Sequence, residues 1–283
     1  MPDGGLNGTF LRVPFTTNKN DMCLIVFSWQ PDTATPLILA ANRDEFYQRP
    51  TDSVQYWDDH PDVFGGRDLE AGGSWLAINE NSRFAAVTNY REMPSVTTAR
   101  SRGELVNNFV TGSQSAHDYL HGIKQQANQW SGFNLLVMDN TGIYYFSNRA
   151  GDIDIAPLPA GIYGLTNHLL DTPWPKLIKA KDDFSHAISQ TASIDSNQLV
   201  ELMHDSTQPS IEQLPDTGVG KELEKLLSSC FIASPNYGTR NTSVLVLNDE
   251  GILQWTEQNY LPKGVVGERQ NFRINTVKTN ELS

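Results

Sequence analysis

The sequence predicts a layered α+β domain in which antiparallel sheets pack against one another beneath outer helices. Three observations carry that expectation. Short apolar runs come in pairs joined by turn-rich segments, which is the pattern of β-hairpins. Several of these runs are apolar at nearly every position, so both faces of their sheets must be covered. Between the pairs lie stretches with helical spacing, and helices laid on sheets complete the layers.

The pairs are read in order. "CLIVFSW" and "PLILAAN" flank "QPDTAT", and "SWLAI" and "RFAAVTNY" flank "NENS". "FNLLVMD" and "IYYFSNR" flank "NTG", and "TSVLVL" and "ILQWTEQ" flank "NDEG". Helices are expected in "SRGELVNNFV", "SAHDYLHGIKQQANQW", "WPKLIKAKDDFSHAISQ" and "GKELEKLLSS". In the third of these, Leu177, Ile178, Phe184 and Ile188 fall near one helical face. No repeat or long linker divides the chain after residue 22, so residues 23–283 read as one domain. Residues 1–22 are rich in Gly, Asn and Thr without periodicity, and a disordered leader is expected there.

Composition narrows the partners. The chain has 283 residues, 39% hydrophobic and 19% charged, which is enough to bury a sizeable core. A formal net charge of −12 argues against nucleic-acid binding and against docking on anionic lipid. No apolar run reaches the roughly 18 residues of a membrane span, so stable membrane insertion is not expected. The leader lacks the apolar core of a secretory signal, and a cytoplasmic location is the expectation. Two cysteines, Cys23 and Cys230, cannot form a disulfide framework, and no C-x-x-C pattern marks structural zinc or c-type haem. Cys230 reads as a small buried strand residue.

Chemistry-bearing residues cluster where apolar runs end. "AANRDEF" closes a strand with Asn42, Arg43, Asp44 and Glu45. A solvated strand end with a local ion pair explains it as well as a fixed charge beside a reactive group does. "TNYRE" and "GLTNHLLDTPWPK" place Asn89 and Asn167 at similar ends, where an amide can serve an oxyanion or simply a turn. Arg240 precedes "NTSVLVL". "FGGRDLEAGGSW" lacks the strand–loop–helix frame of a phosphate loop, and "GVGKELEK" has Pro215 and Glu222 where Gly and Ser or Thr are required. His117 and His121 share a helical face at zinc spacing, but no third ligand is evident, so no metal site is expected.

Taken together, "MCLIVF", "ANRDE", "GGSWLAIN", "TNYRE", "GLTNHLLDTPWPK" and "YGTRNTSVLVL" resemble the NRDE family, also called the transport and Golgi organisation protein 2 family, over about residues 22–260. That family is similar to N-terminal-nucleophile hydrolases of the choloylglycine hydrolase and penicillin V acylase type. The resemblance implies a four-layer αββα sandwich. It also implies a polar set of Cys23, Arg43, Asn89, Asn167 and Arg240, with Asn42 and Asp44 as lesser members. Asp44 departs from the acylase pattern, in which the aspartate stands three residues after the arginine. Adjacent strand residues face opposite ways.

In such enzymes the nucleophile's own α-amine is the general base, since its pKa lies near about 7.7–8. The implied reaction is hydrolysis of an amide bond in a small amphipathic molecule through a Cys23 acyl-enzyme, with no cofactor. It requires a free amine on Cys23. Translation from Met22 with Met removal, or cleavage of a propeptide, would supply it, whereas a retained leader would not. The resemblance equally implies a haem-binding or haem-trafficking protein, with Cys23 as axial ligand and Arg43 or Arg240 near the propionates. A third implication is an interaction protein with a relic site.

Overall fold

The computed structural model describes residues 22–94, 98, 100–190 and 194–277. Residues 1–21 of the expected leader lie outside the described residues. The first half of the chain forms β1 (Met22–Trp29), β2 (Leu37–Phe46), β3 (Thr51–Tyr56), β4 (Val63–Asp68), β5 (Leu76–Asn79) and β6 (Phe84–Asn89). Two helices follow, α1 (Gly103–Val110) and α2 (Ala116–Gln125), then β7 (Phe133–Asp139), β8 (Gly142–Ser147) and β9 (Gly161–Leu165). The last part holds α3 (Pro175–Ser189), α4 (Ser196–Met203) and α5 (Lys221–Leu226). The closing strands are β10 (Tyr237–Leu247), β11 (Ile252–Leu261) and β12 (Val265–Asn275).

Two six-stranded antiparallel sheets result. One runs β12-β11-β10-β2-β1-β9 and the other β3-β4-β5-β6-β7-β8. Alternation sorts their residues into layers. Ile25, Phe27, Leu39, Phe64, Phe84, Leu136 and Trp255 meet between the sheets. Leu24, Val26, Ile38 and Val244 point the other way, onto Leu177 and Phe184 of α3 and Leu199 and Met203 of α4. Ala85, Leu135 and Val137 of the second sheet pack beneath Leu105, Phe109 and Leu120 of α1 and α2. The order is therefore αββα, as the resemblance implies. Burying each large apolar side chain contributes about 2 kcal/mol, which is why the strands are nearly all apolar.

Each of the four expected hairpins forms. Three local expectations are corrected. Ile178 is exposed, whereas Leu177 and Phe184 of the expected set are buried and Ile188 partly so, with Ala180 and Ala187 completing the face. The second predicted helix stops at Gln125, followed by a 3-10 turn at Ala127–Gln129. Cys230 is buried, but in a bend after α5 and not in a strand. One glycine fixes where α3 sits. A β-carbon on Gly164 of β9 would stand 2.5 Å from Leu177 Cδ1 and 2.9 Å from Lys181 Cδ, so the bare glycine leaves room for these α3 side chains against the sheet.

Candidate active site

Cys23 is the second residue of β1 and pairs directly with Arg43 of β2. It shares the face of Ile25, Phe27 and Trp29, and Arg43 that of Leu39 and Ala41, so both belong to the layer between the sheets. On the other side of β1, Ile25 pairs with Leu165 of β9. The pairing ends there, and the chain bends from Thr166 onward, with Asn167 two residues past the end of β9.

Arg43 is only 8% exposed, yet its guanidinium makes no hydrogen bond or close ion pair with any described residue. Two charges act on its surroundings. Glu257 of β11 lies on the same face, accepts from Val54 N at 3.2 Å and from Ser243 Oγ at 3.4 Å, and feels the charge of Arg43. Burial nevertheless pushes its carboxyl up to about 7. Arg240 sits at the bulge of β10 between Thr239 and Asn241. Its Nη1 donates to the carbonyls of Phe46, at 3.2 Å, and Arg49. Burial, together with the like charge of Arg43, lowers its pKa.

The two asparagines meet each other. Asn167, fully buried, donates through Nδ2 to Asn89 O at 3.0 Å, and Arg91 N donates to Asn167 O at 2.7 Å. This clasp joins the end of β6 to the loop after β9, one from each sheet. Asn89 is the last residue of β6, and alternation sets it on the α1-facing side with Ala85 and Val87. Thr88 takes the inward position and donates to Thr166 O at 2.8 Å. Asn134 reinforces the seam, giving Nδ2 to Thr88 Oγ1 and His168 O and accepting from Tyr145 at 2.9 Å.

Asn42 and Asp44 face the helices. Asn42 donates to Met203 O at 2.8 Å and Cys230 O at 2.9 Å, and accepts from Thr242 Oγ1 at 2.6 Å. Asp44 accepts from Thr239 Oγ1 at 2.6 Å, while its Oδ2 has no hydrogen-bond partner among the described residues. Burial raises its carboxyl to about 6 against the pull of Lys176 and the Thr239 bond. Lys176 of α3 is itself buried and donates to Leu227 O at 2.9 Å. Beyond it, Arg91 pairs with Glu224 at 2.6 Å. A cavity of about 110 Å³ between α3 and α4, lined in part by Lys176, Ala180, Leu202 and Cys230, lies on this helix side, away from Cys23's face.

Thr88, Asn134, Lys176 and Glu257 belong to the polar end of the sandwich but escaped the sequence reading. For Asn134 a signal existed, since it interrupts the inward face of an otherwise apolar strand. His117 and His121 lie on the outer face of α2 with rings 4.5 Å apart. No group of three or more His, Cys, Asp and Glu among the described residues is placed to hold a metal. No described helix is long and apolar enough to cross a membrane.

Fold and site define an αββα protein whose first strand carries a cysteine beside a buried arginine. The chain belongs to the Transport and Golgi organisation 2 family, whose sequence pattern matches residues 22–262. It is 34% identical to human Transport and Golgi organization protein 2 homolog, over 86% of this chain and 94% of that one. Identity to Drosophila melanogaster Transport and Golgi organization protein 2 is 29%, over 84% and 92%. Among solved structures, it is similar to a Caenorhabditis elegans ortholog of N-acylethanolamine-hydrolyzing acid amidase. There the TM-score is 0.47 and the identity 12%, over 79% of this chain and 92% of that one.

Proposed function

We propose that the protein is an amidohydrolase in which Cys23, acting as the first residue of the mature chain, is the nucleophile. The observation that carries this reading is the direct pairing of Cys23 with Arg43, a buried guanidinium without a hydrogen-bonding partner among the described residues. Leaving such a charge unmatched costs several kcal/mol, so the position favours an anion next to it, either the Cys23 thiolate or a substrate oxygen.

The α-amine takes the thiol proton, and the sulfur attacks the amide carbonyl. The C–N bond breaks as the proton passes to the departing amine, leaving a thioester on Cys23. Water, deprotonated by the same amine, then releases the carboxylic acid and restores the thiol. The family resemblance implies Asn89 as oxyanion donor, a role its side chain does not meet from the α1-facing side of β6. Asn167 and Arg240 are the members to which the resemblance assigns orienting the substrate or the amine, and the substrate class is a small amphipathic amide.

Haem fits this donor set less well. Arg240 already donates to two backbone carbonyls, which leaves Arg43 alone to meet two propionates, and Cys23 is 5% exposed.

The test compares protein beginning at Cys23, protein retaining residues 1–22, and Cys23→Ala, each on a panel of N-acyl amides, with mass spectrometry of the native chain. Hydrolysis by the first alone, with a transient thioester mass, is expected. Equal activity of Cys23→Ala, or of the chain that retains its leader, overturns the reading.

A further inference from the structure

The helix side of the first sheet holds a buried amine for which the hydrolase chemistry has no use. Lys176 is the second residue of α3 and is 6% exposed. Leu177, the next residue, packs with Leu24 and Val26 of β1 and holds this turn against the sheet. The amine donates to Leu227 O at 2.9 Å, and no carboxylate among the described residues forms an ion pair with it. A buried ammonium with a carbonyl as its partner is costly, so the neutral amine lies close in energy.

Two cavities meet at this residue. The larger, of about 110 Å³, opens to the surface and is lined in part by Lys176, Ala180, Leu202, Thr207 and Cys230. The smaller, of about 10 Å³, is bordered by Lys176, Arg91, Trp174 and Leu227. Pro175, Lys176 and Pro209 line both. Lys176 therefore has a second cation on one side and reachable space on the other. Desolvation and a neighbouring cation are the two devices that turn a lysine into a nucleophile.

We infer that Lys176 is a covalent capture site for small uncharged carbonyl compounds, which enter the larger cavity and form an imine with its amine. The volume admits a molecule of roughly four or five heavy atoms. Lys179 at the rim is already paired with Asp183 and Asp205, at 2.6 and 2.9 Å, so the entrance offers no unpaired charge to draw an anion. The amine leaves Leu227 O, and its lone pair attacks the carbonyl carbon. One amine proton passes through water to the carbonyl oxygen, giving the carbinolamine. That oxygen then departs as water with the second amine proton, leaving the C=N bond. The surroundings act in the same sense. Burial and the like charge of Arg91 pull Lys176 down to about 8, against the upward pull of Asp44 and the thiols of Cys230 and Cys23. Burial pushes the Cys230 thiol up, so the sulfur in the same cavity stays protonated and does not compete. The site is independent of the Cys23 side chain, which lies on the other face of the sheet.

The test incubates the full chain with propanal and cyanoborohydride at pH 7, which reduces each imine to a stable propyl-lysine, and maps the adducts by peptide mass spectrometry. Lys176 is expected to be labelled at least about tenfold faster than the exposed Lys221, because far more of it is neutral at this pH. Lys176→Arg should lose that adduct and keep those on the surface. Thr207→Trp, at an exposed position on the rim, should slow labelling of Lys176 by about fivefold or more and leave Lys221 unchanged, and it serves equally if Lys176→Arg does not fold. Adducts confined to exposed lysines, or a Lys176 adduct that forms as fast in Thr207→Trp, overturn the inference.

Discussion

Three consecutive residues of β2 face two different environments, and the contrast separates what holds the fold from what is left for chemistry. Asn42, toward the helices, satisfies the carbonyls of Met203 and Cys230 and accepts from Thr242. Arg43, toward the second sheet, is almost as buried and makes no hydrogen bond to a described residue. Asp44 lies between these cases, bonded through one oxygen and not the other. Evenly buried polar groups are normally evenly satisfied. A gradient of satisfaction along one strand therefore marks the side on which a ligand or a reacting group is missing.

The sharpest way to break this contrast is to remove each member. Asn42→Leu strands two buried carbonyls and a hydroxyl and should destabilise the protein by about 3 kcal/mol in denaturant unfolding. Arg43→Met removes an uncompensated charge of similar burial and should leave stability unchanged or raise it, while abolishing activity toward amides. Equal losses of stability in the two variants would mean that Arg43 is held by the fold after all.

How much of this was readable in advance follows from which information is local. The four hairpins were legible because their apolar runs and turns are contiguous. The strands β3 and β12 were not, since β3 buries only Val54 at its centre and most of β12 is exposed at a sheet edge. Their signal is in backbone pairing, which composition does not record. The opposition of Arg43 and Asp44 was legible from alternation alone. The pairing of Cys23 with Arg43 depends on the register set by the intervening turn, and a slip of one residue would have moved Arg43 to the helix side. Lys176 was hidden for another reason. A lysine in the first turn of a helix reads as solvated, and the groups that act on it when buried, Leu227 O and Asp44, are far away in the chain.

Each face also carries a carboxyl whose pKa burial raises, and pH sharpens the comparison. Asp44 on the helix side is raised to about 6 and Glu257 between the sheets to about 7, in both cases by burial. A carboxyl raised in the folded state binds its proton more tightly there than in the unfolded chain. The stability it contributes is present below the unfolded value and is lost as pH rises through the folded one. Asp44→Asn and Glu257→Gln should therefore gain stability over wild type as pH rises from about 4 to 8, by about 3 kcal/mol each. The Asp44 gain should level off first, just above pH 6, and the Glu257 gain above pH 7. Thermal unfolding across that range checks both. A constant offset would mean that these carboxyls ionise normally in the fold, and a gain that grows on acidification would mean that the fold lowers their pKa.

The smallest effect separates the two arginines. Arg240 neighbours Arg43 in charge, yet it spends its guanidinium on the carbonyls of Phe46 and Arg49, at the turn that follows β2. Arg240→Met frees those carbonyls at a half-buried site where water can replace the lost donor, so the cost should be about 1 kcal/mol. It also removes a like charge next to Arg43, which offsets part of that cost. Arg240→Lys cannot span both carbonyls but keeps the repulsion, and should be the less stable of the two. If Arg240→Lys were instead the more stable variant, charge rather than the two carbonyl bonds would be what Arg240 contributes, and it would belong with Arg43 among the groups awaiting an anion.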